Sequence, residues 1–117
     1  ANFADANTNF RWSDKDINDG AAESTKVGSY LAGASPYGAE DMAGNIFEWT
    51  TDRYGESYYM EAPERNPSGP EFGTLRSFRG GSWFSSENDI RASSRLGFNT
   101  DEWGSDMGFR CSVDPGF

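Results

Sequence analysis

The sequence predicts an irregular fold of short strands and turns around an aromatic core, with little regular secondary structure. Three observations carry that expectation. Val, Ile and Leu together number only 8 in 117 residues, whereas Phe, Trp and Tyr number 18. A long amphipathic helix or a regular sandwich needs repeated aliphatic residues at periods of about 3.6 or 2, which this chain does not supply. Its 14 glycines and 5 prolines also punctuate the chain too often for long elements.

Taken in order, residues 1–29 are polar and loop-like, rich in Asn, Asp and Gly. Residues 30–44 form a turn-rich stretch broken by Gly33, Pro36, Gly38 and Gly44. Ile46 to Tyr54 (IFEWTTDRY) is β-branched and aromatic and predicts a strand. A long connection follows over 55–74, with a turn signal at Asn66 to Pro70 (NPSGP). Leu75 to Phe84 (LRSFRGGSWF) predicts a strand interrupted at Gly80-Gly81 by a bulge or close backbone approach. Ile90 to Gly97 is a short element, Phe98 to Ser105 a polar loop, and Met107 to Val113 a last strand. The length fits one domain, residues 1–117.

Charge and composition narrow the function classes. A net charge of −9 speaks against nucleic acid or an anionic membrane as partner, because both call for a basic footprint. No apolar run approaches a membrane span. The absence of His removes Ser-His-Asp, Cys-His and His-bound zinc sites. Cys111 is the single cysteine, so no internal disulfide forms. The excess carboxylates are either a solvated surface or, in part, cation ligands.

Four blocks carry a family resemblance: YGAEDMAGNIFEWTTDRY (37–54), NPSGP (66–70), RGGSW (79–83) and GFRC (108–111). With ANFAD (1–5) and DGAAESTKVGSY (19–30) upstream, they resemble the formylglycine-generating-enzyme, or sulfatase-modifying-factor, family in order and spacing. The resemblance implies an irregular α+β fold related to C-type lectins. It also implies that the matched blocks are the C-terminal half of a domain about twice this length. The partner expected on that ground is a second copy of the chain or a complementary protein segment covering aromatic faces near Trp49, Trp83 and Phe109. The expected location is extracellular or at the cell surface.

The cofactor implied is calcium, a hard cation that takes about six to eight oxygen ligands. The resemblance carries one ion onto the side chains of Asp41 and Glu48 and the carbonyls of Gly44 and Ile46. A second would use the side chains of Asn2 and Asp19 and the carbonyls of Phe3 and Ala21. The run Asp14-Lys-Asp16-Ile-Asn18-Asp19-Gly20 is not an EF-hand loop: its Gly falls one position late and Thr25 stands where Glu belongs.

The oxidising enzymes of the family carry two cysteines after the GGS block, which bind copper. Here Ser85 aligns with the first, and the stretch is shorter where the second should fall. Cys111 matches a structural cysteine and is expected to be buried. Arg91, Arg95 and Arg110 are expected to pair with surrounding carboxylates. Binding residues concentrate in irregular loops. The candidates here are Phe84, Ser85, Glu87, Asn88, Asn99, Asp101 and Trp103, a placement that also resembles the variable ligand-binding proteins of diversity-generating retroelements.

The function expected is therefore a calcium-stabilised binding or structural module that presents these loops to a protein or glycan ligand. The alternative is a family enzyme, of formylglycine-generating or iron-dependent type, whose catalytic residues lie on another segment.

Overall fold

The aromatic residues meet where expected, on a small sheet. The structure, a computed structural model, describes residues 1–113. Four strands form it: β1 Phe47–Arg53, β2 Arg76–Arg79, β3 Arg95–Phe98 and β4 Met107–Gly108. They lie in the order β3-β2-β1-β4. The outer pairs differ in direction: β2 is antiparallel to β1 and β3, whereas β4 runs parallel to β1 through Phe47↔Met107 and Glu48↔Gly108. A register shift between Trp49 and Arg53 bends β1. Helical structure among the described residues is limited to two 3-10 turns, Leu31–Gly33 and Tyr58–Met60. This is the irregular α+β class.

Phe78 on β2 is the centre of the core and is fully buried. Trp49 packs on it at 3.8 Å between ring centroids, and Phe47 and Phe98 meet it edge-on at 6.0 and 5.2 Å. Such pairs each contribute about 0.5–1.5 kcal/mol beyond their area burial. Gly97 is needed behind this cluster, because a Cβ there would overlap the Tyr54 ring.

Two strand expectations are corrected. The strand expected over Leu75 to Phe84 ends at Arg79, because Gly80 and Gly81 take φ of 89° and 71° and turn the chain; of the two readings of this pair the close backbone approach holds, since a Cβ on Gly81 would meet the Ile90 backbone. The last strand is two residues long rather than seven. The polar N-terminal stretch is loop-like as expected, without helix or strand over 1–29, but its first residues are inside: Asn2, Phe3, Ala4, Asp5 and Thr8 are all buried. It is stitched in by Asn45 N–H to the Asn2 carbonyl (2.8 Å), Ala4 N–H to the Ser85 carbonyl (2.9 Å) and Asp14 N–H to the Ala4 carbonyl (2.9 Å).

Of the three arginines expected to pair with carboxylates, Arg110 does so and Arg91 and Arg95 do not. Among the described residues the ion pair is Arg110–Glu48. Arg95 instead lies 4.9 Å from the Tyr54 ring and 4.4 Å from the Tyr59 ring, and donates to the carbonyls of Gly55 (2.6 Å) and Glu56 (2.7 Å). Arg91 donates to the Asn88 carbonyl. Backbone oxygen and aromatic faces satisfy these cations, which spares the cost of fixing two long charged side chains in one geometry.

Candidate calcium sites and the loops beside them

The turn leading into β1 brings Asp41, Gly44, Ile46 and Glu48 together on the wall of one open cavity of about 400 Å³, whose rim includes Val27, Phe109 and Arg110. Two non-glycine residues of this turn have left-handed backbone, Asp41 (φ 54°) and Asn45 (φ 73°). Gly44 (φ 82°) admits no substitute, since a Cβ would run into the Asn2 backbone. Asp41 Oδ2 accepts the Gly28 N–H at 2.8 Å. Glu48 is held in bidentate fashion by Arg110, Nε to Oε2 at 2.6 Å and Nη2 to Oε1 at 2.5 Å. The same guanidinium donates to the carbonyls of Glu40 (2.8 Å) and Asp41 (3.2 Å). Its bond to Glu48 raises the Arg110 pKa further above its ordinary value, against some desolvation.

The other expected site lies on the buried N-terminal segment. Phe3 N–H donates to Asp19 Oδ2 at 3.0 Å, so Asp19 is drawn to the residue after Asn2, and Ala21 N–H donates to Asp19 Oδ1 at 2.9 Å. The Asn2 side-chain nitrogen faces Glu23 O (2.8 Å), with Thr25 Oγ1 and Asn45 Oδ1 farther off. That fixes the amide orientation and leaves Asn2 Oδ1 buried without a hydrogen-bond donor. A buried carbonyl oxygen without a partner is costly. An oxygen-seeking cation would satisfy it, so the donors present fit calcium: hard oxygens, two carboxylates at one site and one at the other. The two sites share a wall, because Asn2 and Gly44 form a β-bridge.

The segment after Gly81 has closed around hydroxyls. Ser82 Oγ donates to Asp106 Oδ2 at 3.0 Å, and the Ser82 N–H donates to Ser85 Oγ at 3.1 Å. Both serines are buried. Ser85 is therefore turned inward, with its hydroxyl used internally. Cys111, expected to be buried, is exposed.

Of the remaining loop candidates, Phe84 is the anchor. It packs with Phe10 (4.6 Å) and Trp12 (5.0 Å), and its carbonyl accepts the Trp12 indole N–H at 2.8 Å. It lines two open cavities of about 320 Å³, one with Trp12, Phe47 and Asp89 and one with Trp83, Ser105 and Asp106. Glu87, Asn88, Asp101 and Trp103 are exposed, Trp103 to 90%. Asn99 is tied into its own turn by Glu102 Oε1 at 3.0 Å. Phe10 and Trp12 were not legible as neighbours of this loop, since 72 residues separate Trp12 from Phe84.

The model of the sulfatase-modifying factor enzyme 1-like domain family matches residues 1–115. The chain belongs to that family. It is 43% identical over 94 residues to the Chlamydia caviae protein named serine/threonine-protein kinase pkn1, covering 79% of this chain and 15% of that one. It is 34% identical over 99 residues to the Streptomyces coelicolor formylglycine-generating enzyme, covering 82% of this chain and 31% of the enzyme. Among solved structures it resembles Treponema denticola variable protein 1, with a TM-score of 0.59, 28% identity, and coverage of 79% of this chain and 32% of that one. The chain thus spans less than a third of the length of each relative. Among the described residues no helix is long and apolar enough to cross a membrane.

Proposed function

We propose that this chain is a calcium-stabilised, non-catalytic module of the family, which presents the loops over 84–89 and 98–105 to a protein or glycan ligand. One observation carries the non-catalytic half: where copper chemistry needs two thiolates, the segment holds two buried serines, Ser82 and Ser85, hydrogen-bonded to each other and, through Ser82, to the half-buried Asp106. Calcium is supported by the unpartnered Asn2 Oδ1 and by the shared cavity of Asp41 and Glu48. Calcium bound there would supply charge neutralisation and cross-linking of the N-terminal segment to the β1 turn. Ligand binding is supported by the exposed aromatic and polar side chains around Phe84 and Trp103. A millimolar-calcium setting, extracellular or at the cell surface, fits sites of few carboxylates. A second copy or a complementary segment covers the rim at Val27 and Phe109, which are 75% and 73% exposed.

The test incubates the purified chain with copper, oxygen and a cysteine peptide of sulfatase type and follows the peptide mass. No conversion of cysteine to aldehyde is expected. Copper-dependent conversion that disappears in Ser85→Ala would overturn the reading in favour of a family enzyme.

A further inference from the structure

We infer that Arg110 is the positioning residue of the 41–48 loop, the group that sets the separation of Asp41 and Glu48 before a cation arrives. The inference rests on the calcium reading above. The guanidinium bonds to both ends of this loop at once: the carbonyls of Glu40 and Asp41 where the chain enters, and the carboxylate of Glu48 where it leaves. One rigid planar group thus spans two carboxylate residues that are seven positions apart in sequence.

The loop needs such a brace. Asp41 and Asn45 hold left-handed backbone, which persists only when surrounding contacts over-determine it. Asn45 has its own clamp, since its side chain accepts the Thr25 N–H at 2.9 Å and donates to the Thr25 carbonyl at 3.3 Å. The external ties of Asp41 are the Gly28 N–H on its side chain and Arg110 on its carbonyl.

Of the atoms assigned to the ion, Arg110 engages the carboxylate of Glu48. The carbonyls it engages, of Glu40 and Asp41, differ from those assigned to the ion, of Gly44 and Ile46. The Asp41 carboxylate is bonded to Gly28 and not to Arg110. Each Glu48 oxygen spends one lone pair on the guanidinium and keeps another. Groups that hydrogen-bond to ligating carboxylates orient them, and their loss typically weakens metal binding about 10- to 100-fold. Because Arg110 belongs to the segment after β4, the same bonds link metal loading to the docking of residues 108–113.

Terbium(III), a luminescent oxygen-seeking stand-in for calcium, tests this on the whole chain. Wild type, Arg110→Ala and Arg110→Lys are titrated, with Glu48→Gln identifying the site. Luminescence lifetimes in H2O and D2O count the waters on the bound ion. Both Arg110 variants are expected to weaken terbium and competing calcium at that site by roughly tenfold. They should also raise its bound-water count, as Glu48 loses its orientation. Lysine keeps the charge without the fork, so it should behave like alanine. Should Arg110→Ala fail to fold, Arg110→Lys carries the test alone. Tighter binding in the variants would make Arg110 a competitor of the ion and overturn the inference. So would wild-type affinity and hydration in Arg110→Lys. Failure of wild type itself to bind terbium would remove the calcium reading beneath it.

Discussion

Asp5 is a fully buried carboxylate that forms no ion pair among the described residues. Its oxygens accept the Asn7 N–H (2.8 Å), the Asn7 side-chain amide (3.0 and 3.1 Å) and the Asp19 N–H. Burial alone pushes its carboxyl pKa up, but the N–H groups of Asp19 and Asn7 outweigh it and hold the carboxyl below its ordinary 3.8. A carboxylate depressed in the folded state contributes stability that is complete above its unfolded pKa. That contribution is lost as pH falls through the folded value, so the window lies below pH 3.8. Asp5→Asn places an amide NH2 against donors and should cost about 1–3 kcal/mol at neutral pH. Urea melts of both chains at neutral pH and at about pH 3 check this: the gap should shrink in acid. A gap independent of pH would show that Asp5 contributes through shape alone.

At the scale of elements, the loop over 54–60 is fastened to the sheet by two arginines: Arg95, which lies against the Tyr54 and Tyr59 rings, and Arg79, which donates to the Tyr59 hydroxyl. Arg95→Ala should cost about 1–3 kcal/mol and speed hydrogen exchange of the amides over 55–60, with the β1–β2 amides little changed. Uniform acceleration across the sheet would contradict this assignment. β1 was legible because IFEWTTDRY combines β-branched and aromatic residues in one uninterrupted run, and the strand lies within one residue of that run at each end. The N-terminal segment was not. Hydropathy reads Asn2, Asp5 and Thr8 as surface, yet they are buried because they bond to one another's neighbours and to Asn45. Contacts spanning 43 residues leave no local pattern in the sequence. The same limit hid which carboxylate Arg110 pairs with, since Glu48 lies 62 positions away. Family motifs supplied Asp41 and Glu48; the brace between them emerged only from the folded chain.

The whole molecule carries more surface than its mass requires. Its accessible area is 8402 Å², against about 6,300 Å² for a folded monomer of 12.9 kDa. Its radius of gyration, 15.1 Å, also exceeds the roughly 13 Å of a compact chain this long. The excess, about 2,000 Å² on one chain, is more than the roughly 800 Å² that each partner buries in a standard interface. Tyr37, Phe72, Trp103 and Phe109 all stand largely in solvent. Sedimentation at micromolar concentration should therefore give a mass above 12.9 kDa. A compact, well-folded monomer without a partner would show that the chain closes its own core. The N-terminal segment meets the β1 turn at the Asn2–Gly44 bridge, and on the proposed calcium reading the two cation sites would add to the cohesion there. A ligand that binds only the folded state stabilises it by mass action, about 2.7 kcal/mol at a hundredfold excess over its dissociation constant. Each kcal/mol moves the melting temperature of a chain this size by about 4 °C. The decisive measurement is thermal unfolding in chelator and in millimolar calcium, on wild type, Asp41→Ala and Glu48→Ala. The account predicts a clear upward shift for wild type with calcium and a smaller one for each variant; the same melting temperature in chelator and in calcium would contradict it.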